Sequence, residues 1–179
     1  MIEVAIKGRS EKVSKAKVIR AAKFYADKLM YPQLHNNIHV EILFSANEDL
    51  DTDEHGYCQP YYDTEYKARL FDIGINSQFS ERKTLETLSH EMIHVRQYAR
   101  NELYQYENKD DKERYYRWRH DIVDVAKIWD WFLPWEIESY GMEFGLYKLF
   151  MLHEKAKADP EKRKIIDKIS VRKIHYRIA

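Results

Sequence analysis

One cysteine, Cys58, stands in the chain of 179 residues, so no internal disulfide can form and a reducing cytoplasm is the expected home. Without a paired C-x-x-C it reads as an ordinary thiol and not as a metal ligand. No apolar run follows the start that would serve as a signal peptide or a membrane span, so no membrane partner is expected. Net charge is missing too. Thirty basic residues balance thirty acidic ones, and no global field argues for nucleic acid or an anionic surface. Internal repeats are absent. What charge asymmetry exists is local: basic from Lys7 to Lys28, acidic from Glu41 to Glu65, and basic again in a C-terminal segment over about 155–179.

What is present is core material. With 44% hydrophobic and 14% aromatic residues, the chain can fill the interior of one domain spanning 1–179.

The stretch Leu88-Ser89-His90-Glu91-Met92-Ile93-His94-Val95 places two imidazoles and a carboxylate at H-E-x-x-H spacing. On a helix, positions four apart share a face, so His90 and His94 can reach one metal ion together. Glu91 is placed to take a proton from water as a general base. Chance yields this pattern in about 3% of chains of such composition, so coincidence is a minor competitor. The helical premise rests on Leu85, Leu88, Met92, Val95 and Ala99, which form a core-facing stripe, with Ser80 as N-cap and Glu81 in the first turn.

Around this helix the pattern predicts a short strand over 1–6, a helix from Lys12 to about Met30, and a strand from Asn37 to Phe44. A long acidic loop is expected from Ala46 to Glu65, then a second strand from Tyr66 to Ser77 whose edge can hold an extended peptide. Asn101 to His120 is polar and aromatic, with 108–113 as a charged loop. Asp121 to Phe132 has helical spacing, although its aromatic and β-branched residues leave an extended form open. Pro134 opens a helix that is apolar nearly all round and hence expected to be buried. Its carboxylates Glu136, Glu138 and Glu143 then need partners. Glu136 and Glu143 share a face; Glu138 points nearly the opposite way.

A catalytic zinc needs three protein ligands and one open position. His90-Glu91-x-x-His94 followed by Glu136-Ile137-Glu138-Ser139 resembles the two motifs of gluzincin metallopeptidases. That resemblance implies a compact α+β zincin-like domain, with a small mixed or antiparallel sheet packed on the metal helix, and Glu136 as third ligand. Where the family commonly has Asp or Asn, this chain has Tyr140, and Glu143 can substitute as the partner that orients a ligand. Ser89 to His94 also resembles SprT-like proteases, which use a third histidine; His120 is the candidate, but it is followed by Asp121-Ile122 without the expected glycine and aromatic context. ImmA/IrrE-like and phage-encoded relatives are similar in size.

The resulting expectation is a zinc-dependent peptidase acting on a protein or peptide substrate, with Zn²⁺ on His90, His94 and Glu136, and Glu91 as base. Tyr140, His120 and His153 are candidates for stabilising the oxyanion. Two alternatives accompany it: an SprT-like protease acting on nucleic-acid-associated proteins, and a non-catalytic zinc-binding regulator, whose site would be closed by a fourth ligand such as His120 or Glu143.

Overall fold

The computed structural model describes residues 1–45, 56–63, 67–107 and 114–172. Strand β1 (Glu3–Lys7) leads into α1 (Lys15–Leu29), which starts where the Ser14 side chain accepts from the Lys17 amide. The helix therefore begins three residues later than the spacing suggests, because the cap and not the first apolar residue sets its end. After a short turn of helix, α2 (Pro32–His35), come β2 (His39–Ser45), β3 (Gly56–Tyr62), β4 (Ala68–Asn76) and α3 (Glu81–Ala99).

These four strands form one mixed sheet in the order β1-β2-β4-β3, parallel except for β3, which runs antiparallel to β4. Register aligns Val40 with Phe71, Ile42 with Ile73 and Phe44 with Ile75. All six are buried under α1 and α3, while Leu70 on the other face is exposed. Each large apolar side chain removed from water in this way contributes about 1.5–3 kcal/mol.

Two expectations change here. The segment read as loop from Ala46 to Glu65 contains β3; 46–55 and 64–66 lie outside the described residues. And β4 is an internal strand, so the sheet edge beside α3 is β3. Gly56, Gln59 and Pro60 mask the strand signal in sequence, and pairing with β4 supplies what propensity does not.

Helix α3 lies between the sheet and α1 on one side and the later helix α4 on the other. Ser80 caps it, accepting from the Lys83 amide, with Glu81 in the first turn as expected. It ends in a Schellman motif: Asn101, in the left-handed region at φ 58°, lets Glu102 N–H donate to Gln97 O at 2.8 Å and Asn101 N–H to Tyr98 O at 2.9 Å.

A second, antiparallel sheet follows, built from β5 (Leu103–Glu107), β6 (Arg114–Trp118) and β7 (Asp121–Val123). The charged segment 108–113 lies outside the described residues. No α-helix forms over Asp121 to Phe132, only single 3₁₀ turns at Val125–Lys127 and Asp130–Phe132. Val123 pairs with Tyr116 instead, and the Asp124 side chain accepts from the Ala126 amide, closing a tight turn in place of a helical one.

Helix α4 (Pro134–Lys155) starts at Pro134 as expected. It packs Met142, Leu146 and Phe150 inward, but Ile137, Phe144 and Leu152 face solvent, so it is not buried all round. Helix α5 (Pro160–Lys168) docks the C-terminal segment on α1: the buried Lys28 ammonium donates to the carbonyls of Ile166 and Asp167, satisfying the end of α5. The fold is a compact mixed α+β structure. Among the described residues no helix is long and apolar enough to cross a membrane.

Candidate metal centre

The buried middle of α3 carries His90, Glu91, His94, Arg96 and Gln97, polar groups that each need a partner away from water. Helix α4 supplies most of them. The Ser89 hydroxyl, 2.9 Å from the Glu143 carbonyl, ties the two helices together beside the site.

His90 Nε2 and His94 Nε2 lie 3.1 Å apart, Glu136 Oε2 lies 3.2 Å from His90 Nε2, and Glu136 Oε1 lies 3.3 Å from His94 Nε2. Among the described residues, His90, His94 and Glu136 form the one group of its kind able to hold a metal ion. The spacing is informative. Bonds of about 2.0–2.1 Å to a tetrahedral ion imply ligand-to-ligand edges of about 3.3–3.4 Å. The two ring nitrogens and the Glu136 carboxylate, with one oxygen turned to each ring, thus lie close enough together to share such an ion, and the N₂O donor set suits zinc among the borderline metals.

The outer ring nitrogens are held so that Nε2 points inward on both histidines. His90 Nδ1 donates to Glu143 Oε2 at 2.8 Å. His94 Nδ1 faces Gln97 Oε1 at 2.8 Å. Which atom of the Gln97 amide faces the ring follows from its other contacts: Gln97 Nε2 lies 3.1 Å from the Trp135 carbonyl and 2.9 Å from Glu138 Oε2, both pure acceptors. The amide oxygen is therefore the atom turned to His94, which must carry its proton on Nδ1 and offer a lone pair at Nε2.

Burial opposes charge on the His90 ring, but hydrogen bonds to Glu136 and Glu143 outweigh it and raise its pKa to about 10. Burial likewise works against the Glu136 carboxylate, and its bonds to His90 and His94 overcome that, lowering it to about 2. The two rings and the carboxylate thus hold one another through shared protons, and a metal ion bound there would have to displace those protons.

Glu91 is buried beside this centre, and burial raises its pKa above the ordinary carboxylate value. Among the described residues no hydrogen bond or ion pair holds its carboxylate. It borders a cleft of about 520 Å³ shared with His90, His94 and Glu136, walled on one side by Gly56 to Cys58 of β3 and on the other by Trp131, Leu133, Trp135 and Tyr140. Gly56 has to be glycine: a Cβ there would come within 2.9 Å of Glu91 Oε1 and 2.6 Å of Thr87 Cγ2. Cys58 lines the same cleft, but burial first and Glu91 second push its thiol well up, which keeps it protonated and unreactive.

The sequence candidates separate cleanly. Glu138 turns away from the metal group to the buried Arg96, to which it is ion-paired. Glu143 orients His90. Tyr140 packs against the His90 ring, centroids 4.7 Å apart, and burial together with the Glu136 and Glu143 charges raises its phenol to about 12. His120 is exposed in the turn between β6 and β7, outside the metal group, and His153 packs on Phe24, near Asp167. Gln97, Gly56 and Trp131 were not singled out from sequence. Of these only Gln97 carried a signal, its place three residues after His94 on the same helix face.

Comparison of the chain with protein-family models, with curated proteins and with solved structures finds no match.

Proposed function

We propose that this protein is a zinc-dependent peptidase. The observation that carries the reading is the convergence of His90 Nε2, His94 Nε2 and Glu136 at 3.1–3.3 Å on the floor of an open cleft that Glu91 also lines. When bound, zinc supplies a Lewis acid that polarises the scissile carbonyl and acidifies a water molecule. His90, His94 and Glu136 hold it, and Glu143 and Gln97 keep the two rings aimed.

Glu91 accepts the proton of the attacking water and returns it to the leaving amine nitrogen as the C–N bond breaks. Its burial supports this role, since a carboxylate with a raised pKa is better matched to proton transfer near neutrality. Tyr140, a hydroxyl-bearing residue of α4 that lines the cleft and packs on His90, is assigned to the developing oxyanion. The outer strand β3, next to Glu91, suits an extended substrate held by main-chain pairing.

A closed structural zinc site would need a fourth protein ligand, and among the described residues no fourth His, Cys, Asp or Glu joins the three. Protein carrying zinc should hydrolyse unfolded casein, lose the activity to a chelator and regain it with zinc. Glu91→Gln should keep the metal and lose about 10²- to 10⁴-fold in rate. Full turnover by Glu91→Gln, or no metal uptake by the wild type, would remove the proposal.

A further inference from the structure

The segment between β7 and α4 exposes more aromatic surface than any packing role requires. Trp129, Trp131 and Phe132 are 79%, 63% and 65% exposed, within four consecutive residues. Their backbone is nonetheless well held. The Phe132 amide donates to Trp129 O at 2.8 Å and the Leu133 amide to Asp130 O at 3.0 Å. Leu133 and Trp135 are buried, Trp135 stacking on Tyr116 at 5.5 Å. The chain is thus anchored on its C-terminal side while Trp131 stays outside.

Trp131 is also continuous with the metal centre. Its ring stacks on Tyr140, centroids 4.4 Å apart and planes within 16°, and Tyr140 lies on His90. One aromatic wall therefore runs from a metal-binding imidazole out to solvent, and across the cleft stands the β3 edge at Gly56 to Cys58. An extended chain paired with β3 presents side chains toward the facing wall. Of the five carboxylates that line the cleft, Glu86 pairs with Arg82, Glu136 with both histidines and Glu143 with His90, which leaves Glu91 at the proposed chemistry and Asp130 beside Trp131. A flat or bulky apolar side chain extends the Trp131–Tyr140 stack without leaving a buried charge unpaired.

We propose that the Trp131–Tyr140 wall receives an aromatic or large aliphatic side chain of an extended polypeptide, and so sets substrate preference. The inference rests on the peptidase reading, and binding separates the two. Labelled, end-capped Gly/Ser peptides carrying a central Phe, Ala or Lys are titrated by fluorescence polarisation against zinc-loaded Glu91→Gln protein, and the unlabelled peptides are offered to wild-type enzyme.

The expected result is that the Phe peptide binds about tenfold or more tighter than the Ala peptide. Trp131→Ala should remove that preference and Trp131→Phe should keep it. If wild-type enzyme cleaves all three equally and binding shows no Phe preference, the inference falls and the peptidase reading stands. If the Phe preference appears but nothing is cleaved, the peptidase reading falls and the wall remains a peptide-binding surface. A preference for Lys overturns the inference, as does absence of all binding. So does self-association, or capture on phosphatidylcholine vesicles, that Trp131→Ala abolishes while peptide preference is absent.

Discussion

The Gln97 side-chain oxygen faces His94 Nδ1 at 2.8 Å, and it faces that way because Glu138 and the Trp135 carbonyl accept from the other end of the same amide. Glu138, which touches neither His90 nor His94, thereby fixes the tautomer of one of the two rings proposed to hold the metal.

Gln97→Leu is therefore expected to weaken zinc binding about 10- to 100-fold with the ligands intact. Competition against a chromophoric chelator measures it. Unchanged affinity would mean that packing alone holds the His94 ring.

Glu136→Gln and Glu138→Gln should fail in different ways. The first removes a metal ligand, so affinity falls while the metal-free fold persists. The second leaves Arg96, 1% exposed, without its main counter-charge, and should cost about 3–5 kcal/mol of stability. Denaturant unfolding of metal-free protein separates the two; equal stability losses would contradict the division of roles between these carboxylates.

That division shows what the sequence could convey. Helical spacing alone puts Glu136 and Glu138 on opposite sides of α4, and H-E-x-x-H with the Ser80 cap locates α3. The opposite side, however, proves to be a buried ion pair with Arg96, and no local pattern marks which basic residue will be fully enclosed. β3 stayed hidden because its pairing with β4 is non-local and its sequence, with Gly56 and Pro60, has weak strand propensity. The turns over 124–132 look helical by period, and only the competing β6–β7 pairing and the Asp124 side-chain turn decide against it. The exposed outer face of α4, with Ile137, Phe144 and Leu152, has a related reason: apolar period says which faces are greasy, not whether a neighbour arrives to cover them.

Gly56→Ala should leave metal content unchanged and lower activity, since the new methyl meets Glu91 and Thr87 at under 3 Å. Because Thr87 and the Gly74 carbonyl stand in the way as well, β3 must move away from α3 and Glu91. Zinc content together with kcat on a peptide substrate reports this. Loss of metal in parallel with activity would place the damage in α3 as a whole.

Acid should loosen the contact between α1 and α4. Burial raises the Glu154 pKa, but hydrogen bonds from Arg20 and Lys157 more than reverse this and bring it to about 2, below the ordinary 4.5. A folded-state pKa below the unfolded value stabilises the fold above pH 4.5, and that stability is lost as pH falls from about 4.5 toward about 2. Because Arg20 is half-exposed, the contribution is about 1 kcal/mol or less. Glu154→Gln should lower stability at pH 7 by that amount and flatten the dependence below pH 4.5, as read by urea unfolding across pH. An unaltered acid slope would assign it to other carboxylates.

Helix α4 is locked to α3 at three separate points: Glu138 and Met142 on the Arg96 guanidinium, the Trp135 carbonyl on the Gln97 amide, and the Glu143 carbonyl on the Ser89 hydroxyl. Its rotation and height are set by these contacts and not by the connection that precedes it. Exposed positions of the turn that precedes α4, such as Trp129, Trp131 and Phe132, can therefore change their side chains without displacing Glu136 from the two histidines, whereas Tyr116, Trp118 and Leu133, packed on Trp135 or in the core, cannot. Variation at those exposed positions would alter what enters the cleft while leaving its chemistry where it is.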